Sequence, residues 1–211
     1  MDGDIAPLKE IKALCEKYDA ILMIDECHAG GHLGKTGRGT PELTGVQPDI
    51  ITSTLGKALG GGTGGYASGS KVLIDLLRNK ARTYLFSNSM APNGVAASLK
   101  AFELIENDPS LMATLHGHVG VFRQGLKKAG FTISGHDECP IVPIMIGDAA
   151  KAKAFADALL SRDIYVIAFS FPVVPKDTAR IRCQLSAAHT SEQIQQALTA
   201  FEEVAKEVGI L

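Results

Sequence analysis

Lys57 stands in the run Thr52-Ser53-Thr54-Leu55-Gly56-Lys57-Ala58-Leu59-Gly60-Gly61-Gly62, directly after the apolar pair Ile50-Ile51. A lysine leaving a strand among small residues has no bulky neighbour to shield its amine. An aldehyde can reach it, and the hydroxyls of Ser53 and Thr54 can hold an attached phosphate. That is the outline of a pyridoxal-phosphate lysine. A lone lysine in a Gly/Ser/Thr-rich turn also reads as a solvated turn residue. A phosphate-cradling P-loop requires Gly-x-x-x-x-Gly-Lys followed by Ser or Thr. Here Ala58 follows Lys57, and Ile51 stands where the first glycine would be, so the nucleotide reading is weak.

Upstream, Ala20-Ile21-Leu22-Met23-Ile24 has the length of a buried strand and ends on Asp25-Glu26-Cys27-His28. Ligands of open α/β sheets gather at the carboxyl ends of parallel strands, so Asp25 is placed where a site is expected. A pyridoxal enzyme needs an acid there, because the electron sink works only while the ring nitrogen stays protonated, which a buried, ionised Asp enforces. An acid after a strand is equally a helix N-cap. His28 can donate to the cofactor ring or stack beside it; its alternative is a satisfied core histidine. Glu26 takes no role. Arg180-Ile181-Arg182 places two arginines on one face of a strand, where a planar fork can clamp a carboxylate. As an isolated motif it reads more simply as a solvated edge.

The elements that position these residues alternate. Pro7 opens a helix with Leu8, Ile11, Leu14, Cys15 and Tyr18 on one face, followed by the strand at 20–24. This resembles the crossover of a βαβ unit whose first strand is absent. A glycine-rich turn region (30–39) leads to a strand at 49–54. After the Lys57 loop come a short strand at 65–68, a helix at 71–80, an extended run Tyr84-Leu85-Phe86 and a helix at 92–105. The character changes near Asp108-Pro109, with a helix over 110–129. Strand and helix then alternate at 141–146, 149–161, 164–168, 180–185 and 191–208, the last helix capped by Thr190. The fold class is α/β, with domains expected at 1–109 and 110–211.

At 211 residues with 45% hydrophobic residues, 21% charged residues and net charge −2, the composition is that of an ordinary soluble globular protein. It carries no basic stripe for nucleic acid and no apolar run of membrane-spanning length. Cys15, Cys27, Cys139 and Cys183 lack metal or disulfide spacing, and His116 and His118 splay apart on a helix, so no metal site is expected. A reducing compartment is the default.

Together, Asp25-Glu26-Cys27-His28-Ala29, Ser53 to Gly61, Tyr84-Leu85-Phe86-Ser87-Asn88-Ser89, Phe171-Pro172-Val173-Val174-Pro175 and Arg180 to Thr190 resemble the α-oxoamine synthases, from Asp2 to nearly the last residue. The resemblance implies fold type I of the pyridoxal-phosphate enzymes. Residues 1–109 would be the C-terminal part of the cofactor-binding large domain and 110–211 the small domain. It further implies a homodimer, pyridoxal 5'-phosphate as cofactor, and the reversible condensation of glycine with acetyl-CoA to 2-amino-3-ketobutyrate and CoA. Lys57 would bind the cofactor covalently, Asp25 would pair with the ring nitrogen and His28 would contact the ring's phenolic oxygen. Thr54 would hold phosphate, joined across the dimer interface by Ser87, and Arg182 would hold the substrate carboxylate. Other acyl-CoA condensations of the family, giving 5-aminolevulinate, 8-amino-7-oxononanoate or a sphingoid base, are the nearest alternatives. Family members carry about as many residues again before the position of Met1, including a histidine that stacks on the cofactor and a serine that holds phosphate. The chain alone is therefore expected to be truncated and inactive, the alternative class being a non-catalytic dimerising or binding chain. The compartment implied is the cytoplasm, or the mitochondrion in a eukaryote.

Overall fold

The computed structural model describes residues 2–60 and 62–211; Gly61, part of the glycine run after Lys57, lies outside the described residues. The chain forms two compact units, one of Ala6–Met112 and one of residues 2–5 with Ala113–Leu211.

In the unit of Ala6–Met112, helix α1 (Leu8–Lys17) precedes strand β1 (Met23–Asp25), helix α2 (Thr40–Thr44), strand β2 (Ile50–Thr54) and strand β3 (Gly65–Gly69). Helices α3 (Lys71–Lys80), α4 (Arg82–Leu85) and α5 (Pro92–Asn107) follow. The sheet order is β1-β2-β3, with β1 parallel and β3 antiparallel to β2. Leu8 of α1 packs with Leu22 and Val46, and Ile11, Cys15 and Ile24 lie against that cluster. Leu14 and Tyr18, expected on the same buried face, are instead exposed. The first strand is shorter than its apolar run. Ala20 N–H turns back to the Cys15 carbonyl and Leu22 N–H goes to the Asp49 carboxylate at 2.8 Å, so only Met23 to Asp25 join the ladder. Tyr84-Leu85-Phe86 is helical rather than extended. Leu85 N–H reaches the Ala81 carbonyl and Phe86 N–H that of Arg82, and these local bonds override the aromatic preference for strands.

The glycine-rich segment after β1 is tied down by two carboxylates. Glu26, 4% exposed, accepts from Thr40 N–H at 2.7 Å and from the Thr40 hydroxyl. Glu42 accepts from the N–H groups of Thr36 and Arg38. Gly39 at φ +84° and Gly34 at φ +80° carry the chain past them, and a Cβ at either would collide with a Glu26 or Glu42 oxygen. Burial pushes the Glu26 carboxyl above its ordinary value, against the Thr40 bonds. A carboxyl raised by folding contributes stability below its unfolded value, and that contribution is lost as pH rises through the folded one. Glu26→Gln, which keeps an acceptor oxygen, is therefore expected to match or exceed the native urea midpoint at pH 7 and to flatten its decline above about pH 5. Glu26→Ala, which orphans the Thr40 donors, is expected to cost about 1–3 kcal/mol.

The other unit is built on helix α6 (Ser110–Ala129), strand β4 (Ile141–Gly147), helix α7 (Ala149–Leu160), strands β5 (Ile167–Phe169) and β6 (Ala179–Gln184), and helix α8 (Ser191–Val208). The antiparallel sheet runs β4-β6-β5. Its core gathers Phe122, Phe131, Phe155 and Phe201 with Val142, Ile144, Ile181 and Val204; Phe155 and Phe201 meet edge to face at 5.5 Å. Each such ring is worth about 1.5–3 kcal/mol when fully buried, more than an exposed ion pair such as Lys153–Asp157. Thr190 and Gln193 form a reciprocal capping box that starts α8. Strand β5 starts three residues later than the apolar pattern from Ile164, because Ile164 N–H closes the end of α7 on the Leu159 carbonyl. Arg123, 3% exposed, donates to the carbonyls of Ser134 at 3.0 Å and Ile141 at 3.1 Å, stitching the link between α6 and β4.

Candidate active site

Asp25 ends β1 directly across from Thr52 in the parallel register. Its Oδ1 accepts from Cys27 N–H at 2.8 Å, the turn an Asx side chain makes two residues on. Its Oδ2 meets the Thr52 hydroxyl at 3.4 Å. The Cys27 thiol and N–H, then the Thr52 hydroxyl, and finally the charge of Lys57 hold the Asp25 carboxyl below its ordinary value, against a small cost of burial. The same contact with Asp25 pushes the Cys27 thiol up. Asp25 is thus ionised but exposed, where a buried acid was expected.

Lys57 lies in the loop after β2, exposed, and among the described residues no carboxylate is within ion-pair distance of its amine. Its carbonyl accepts from Gly60 N–H at 3.0 Å, a bond between backbone atoms. Thr54 turns its hydroxyl to the Gly64 carbonyl at 3.2 Å and accepts from Gly56 N–H at 3.1 Å. Thr52 and Thr54 share one face of β2. Ser53, expected to present its hydroxyl beside Thr54, faces the other way; it is buried, and its Oγ would lie 3.4 Å from a Cβ built on Gly30. His28 is exposed in the turn after β1, and Ser87 is exposed just past α4. Asp25, Thr54 and Lys57 are therefore brought into one neighbourhood, to which Thr52 and Cys27 also belong. Neither of these last two stands out in the sequence as a site residue. Thr52 needs the strand register, whereas Cys27 follows from an Asx turn at Asp25, which engages the N–H two residues on.

Arg180 and Arg182 belong to the other unit, on β6, which is the middle strand and not an edge. The two differ. Arg180 is buried in an ion pair with Asp2 and donates to Thr178 oxygens at 3.1 Å. Arg182 meets no carboxylate among the described residues and lies over the Phe169 ring at 4.8 Å.

The donor set near β1 and β2 fits pyridoxal phosphate. An accessible carboxylate can hold a cationic ring nitrogen, an amine with no carboxylate partner among the described residues can hold an aldehyde, and the Thr54 hydroxyl can meet a phosphate by exchanging the Gly64 carbonyl for it. Asp25 at the end of β1 and Lys57 after the neighbouring parallel strand β2 stand on an α/β framework of fold type I, that of the pyridoxal-phosphate enzymes. The chain belongs to the aminotransferase class I and II family, which matches residues 1–201.

It is 52% identical to the mitochondrial 2-amino-3-ketobutyrate coenzyme A ligase of Homo sapiens, over 100% of this chain and 51% of that protein. It is 49% identical to the ligase of Escherichia coli, covering 53% of it, and 46% identical to 8-amino-7-oxononanoate synthase 1 of Bacillus subtilis, covering 54%. Among solved structures, a serine palmitoyltransferase from S. paucimobilis with PLP and myriocin bound is similar at 31% identity and TM-score 0.92, over 100% of this chain and 54% of that one. The chain spans about half the length of the curated relatives it matches.

Proposed function

We propose that the protein condenses glycine with acetyl-CoA to give 2-amino-3-ketobutyrate and CoA, as the names of its relatives at 49–52% identity suggest. The observation that carries a pyridoxal-dependent reading is the placement of Asp25 at the end of β1, its carboxylate fixed by the Cys27 N–H at 2.8 Å, with Lys57 following the neighbouring parallel strand β2. Bound pyridoxal phosphate supplies an electron sink for negative charge at the glycine α-carbon. The residues do the rest. Lys57 Nζ would hold the cofactor and, as a free amine, would take the glycine α-proton as general base. The Asp25 carboxylate would keep the ring nitrogen protonated, and His28 would serve the ring's phenolic oxygen. Thr54 holds phosphate, with Ser87 contributed by a second copy in a homodimer. The exposed Phe86 and Tyr84 beside Ser87 are in keeping with a surface covered in that assembly. Arg182 presents its fork to the glycine carboxylate. The mitochondrial and bacterial relatives favour a mitochondrial or cytoplasmic setting, depending on the source.

The alternative rests on the 46% identity to 8-amino-7-oxononanoate synthase, which shares the amino-acid half of the chemistry and differs in the acyl donor. Full-length enzyme offered acetyl-CoA and longer acyl-CoA esters with glycine or alanine separates the two; preference for alanine and a long acyl chain would overturn the assignment. Arg182→Lys in the same enzyme is expected to raise KM for glycine roughly 10–100-fold, because an ammonium cannot replace the two-point fork, and to leave KM for acetyl-CoA unchanged. Equal effects on both substrates would remove Arg182 from the carboxylate.

A further inference from the structure

We propose that Phe169 is a positioning residue for amino-acid recognition, its ring holding the Arg182 guanidinium by its face so that the edge of the fork stays open to a carboxylate. The inference rests on the assignment of Arg182 to the glycine carboxylate. Arg180 and Arg182 project from one face of β6, yet their donors are engaged differently. Nε and both terminal nitrogens of Arg180 are taken by Thr178 and Asp2. Asp2 is thereby paired. Arg182 has instead an aromatic neighbour, with Cζ 4.8 Å from the Phe169 ring centroid. A guanidinium attracted through its face to a ring quadrupole keeps its in-plane N–H groups for hydrogen bonds, so stacking orients the fork without consuming its donors.

The register explains why this ring does it. Phe169 on β5 stands opposite Arg180, and Ile167 stands opposite Arg182, so Arg182 leans along the sheet to the diagonal position, a reach that suits a long side chain and an aromatic partner. With Arg180 occupied by Asp2, the Phe169 face is left to Arg182. Holding a long, rotamer-rich side chain in place before the substrate arrives improves binding by lowering the ordering cost of association.

The test uses the full-length holoenzyme with Phe169→Leu, Phe169→Tyr and Arg182→Lys, measuring kinetics and direct binding of glycine and of glycinamide, which lacks the carboxylate. Phe169→Leu is expected to weaken glycine binding and raise KM for glycine roughly tenfold. KM for acetyl-CoA and glycinamide binding should stay unchanged. Phe169→Tyr, which keeps the ring, should restore the native values. Native glycine binding in Phe169→Leu, alongside weakened binding in Arg182→Lys, would overturn the role of Phe169 while leaving that of Arg182 intact. Unchanged glycine binding in Arg182→Lys would remove the underlying assignment and the proposal with it. Equal weakening of glycine and glycinamide in Phe169→Leu would reduce Phe169 to a packing residue.

Discussion

Lys57→Ala in the full-length enzyme is expected to lower turnover by roughly 10²–10⁴-fold, the range that a positioned general base contributes, with any loss of covalent attachment adding to it. The fold should survive the change. The Lys57 side chain is exposed, and what closes its loop is the backbone bond from Gly60 N–H to the Lys57 carbonyl, which alanine retains. An unchanged melting temperature with lost turnover therefore separates a chemical role from a structural one. Borohydride treatment of the native holoenzyme should leave the cofactor on the peptide that contains Lys57, and none should be retained by Lys57→Ala. Because the amine is open to solvent, small primary amines should restore part of the activity. Cofactor fixed to a different lysine, with Lys57 unmodified, would end the assignment.

What could be read from the residue order follows how local the cause of each element is. Helices α3 and α8 are dictated by neighbouring residues: Ser70 accepts from Leu73 N–H to start α3, and Thr190 with Gln193 starts α8. The segment 84–86 departs from the extended expectation because aromatic residues favour strands, whereas the competing bonds to Ala81 and Arg82 carry no compositional mark. The two arginines of β6 show the limit most sharply. They occupy equivalent places in an alternating pattern, and what sets Arg180 apart is its engagement by the nearby Thr178 and by Asp2, 178 residues away. Ser53 and Thr54 could have been separated beforehand, since adjacent strand residues face opposite ways. Glu26, given no role from the sequence, anchors the glycine-rich segment, because its partner Thr40 is reached only after the intervening turns are formed.

Asp25→Asn is expected to lower turnover by roughly 10²–10³-fold, the scale seen when one preorganised electrostatic group is removed. Asparagine keeps an oxygen for Cys27 N–H, so the turn after β1 should persist. What is lost is the negative charge that would keep a ring nitrogen protonated. The pH behaviour follows from the direction of the shift. Folding lowers the Asp25 carboxyl, chiefly through Cys27, so its stabilising contribution is present above the unfolded value near pH 3.9 and is lost only as pH falls through the lower folded value. Across about pH 6–8 the native carboxylate stays charged and adds no slope to either stability or activity. The absorbance of the bound cofactor in the native enzyme should accordingly show no transition from ring-nitrogen titration in that window. In Asp25→Asn such a transition should enter it, with weaker cofactor binding. Thr52→Val, which removes two weak contacts at 3.4 Å, to the Asp25 carboxylate and the Ile24 carbonyl, and leaves the charge, should produce a much smaller loss than Asp25→Asn. Full turnover in Asp25→Asn, or a loss in Thr52→Val as large as in Asp25→Asn, would mean that the charge of Asp25 is not what the reaction uses.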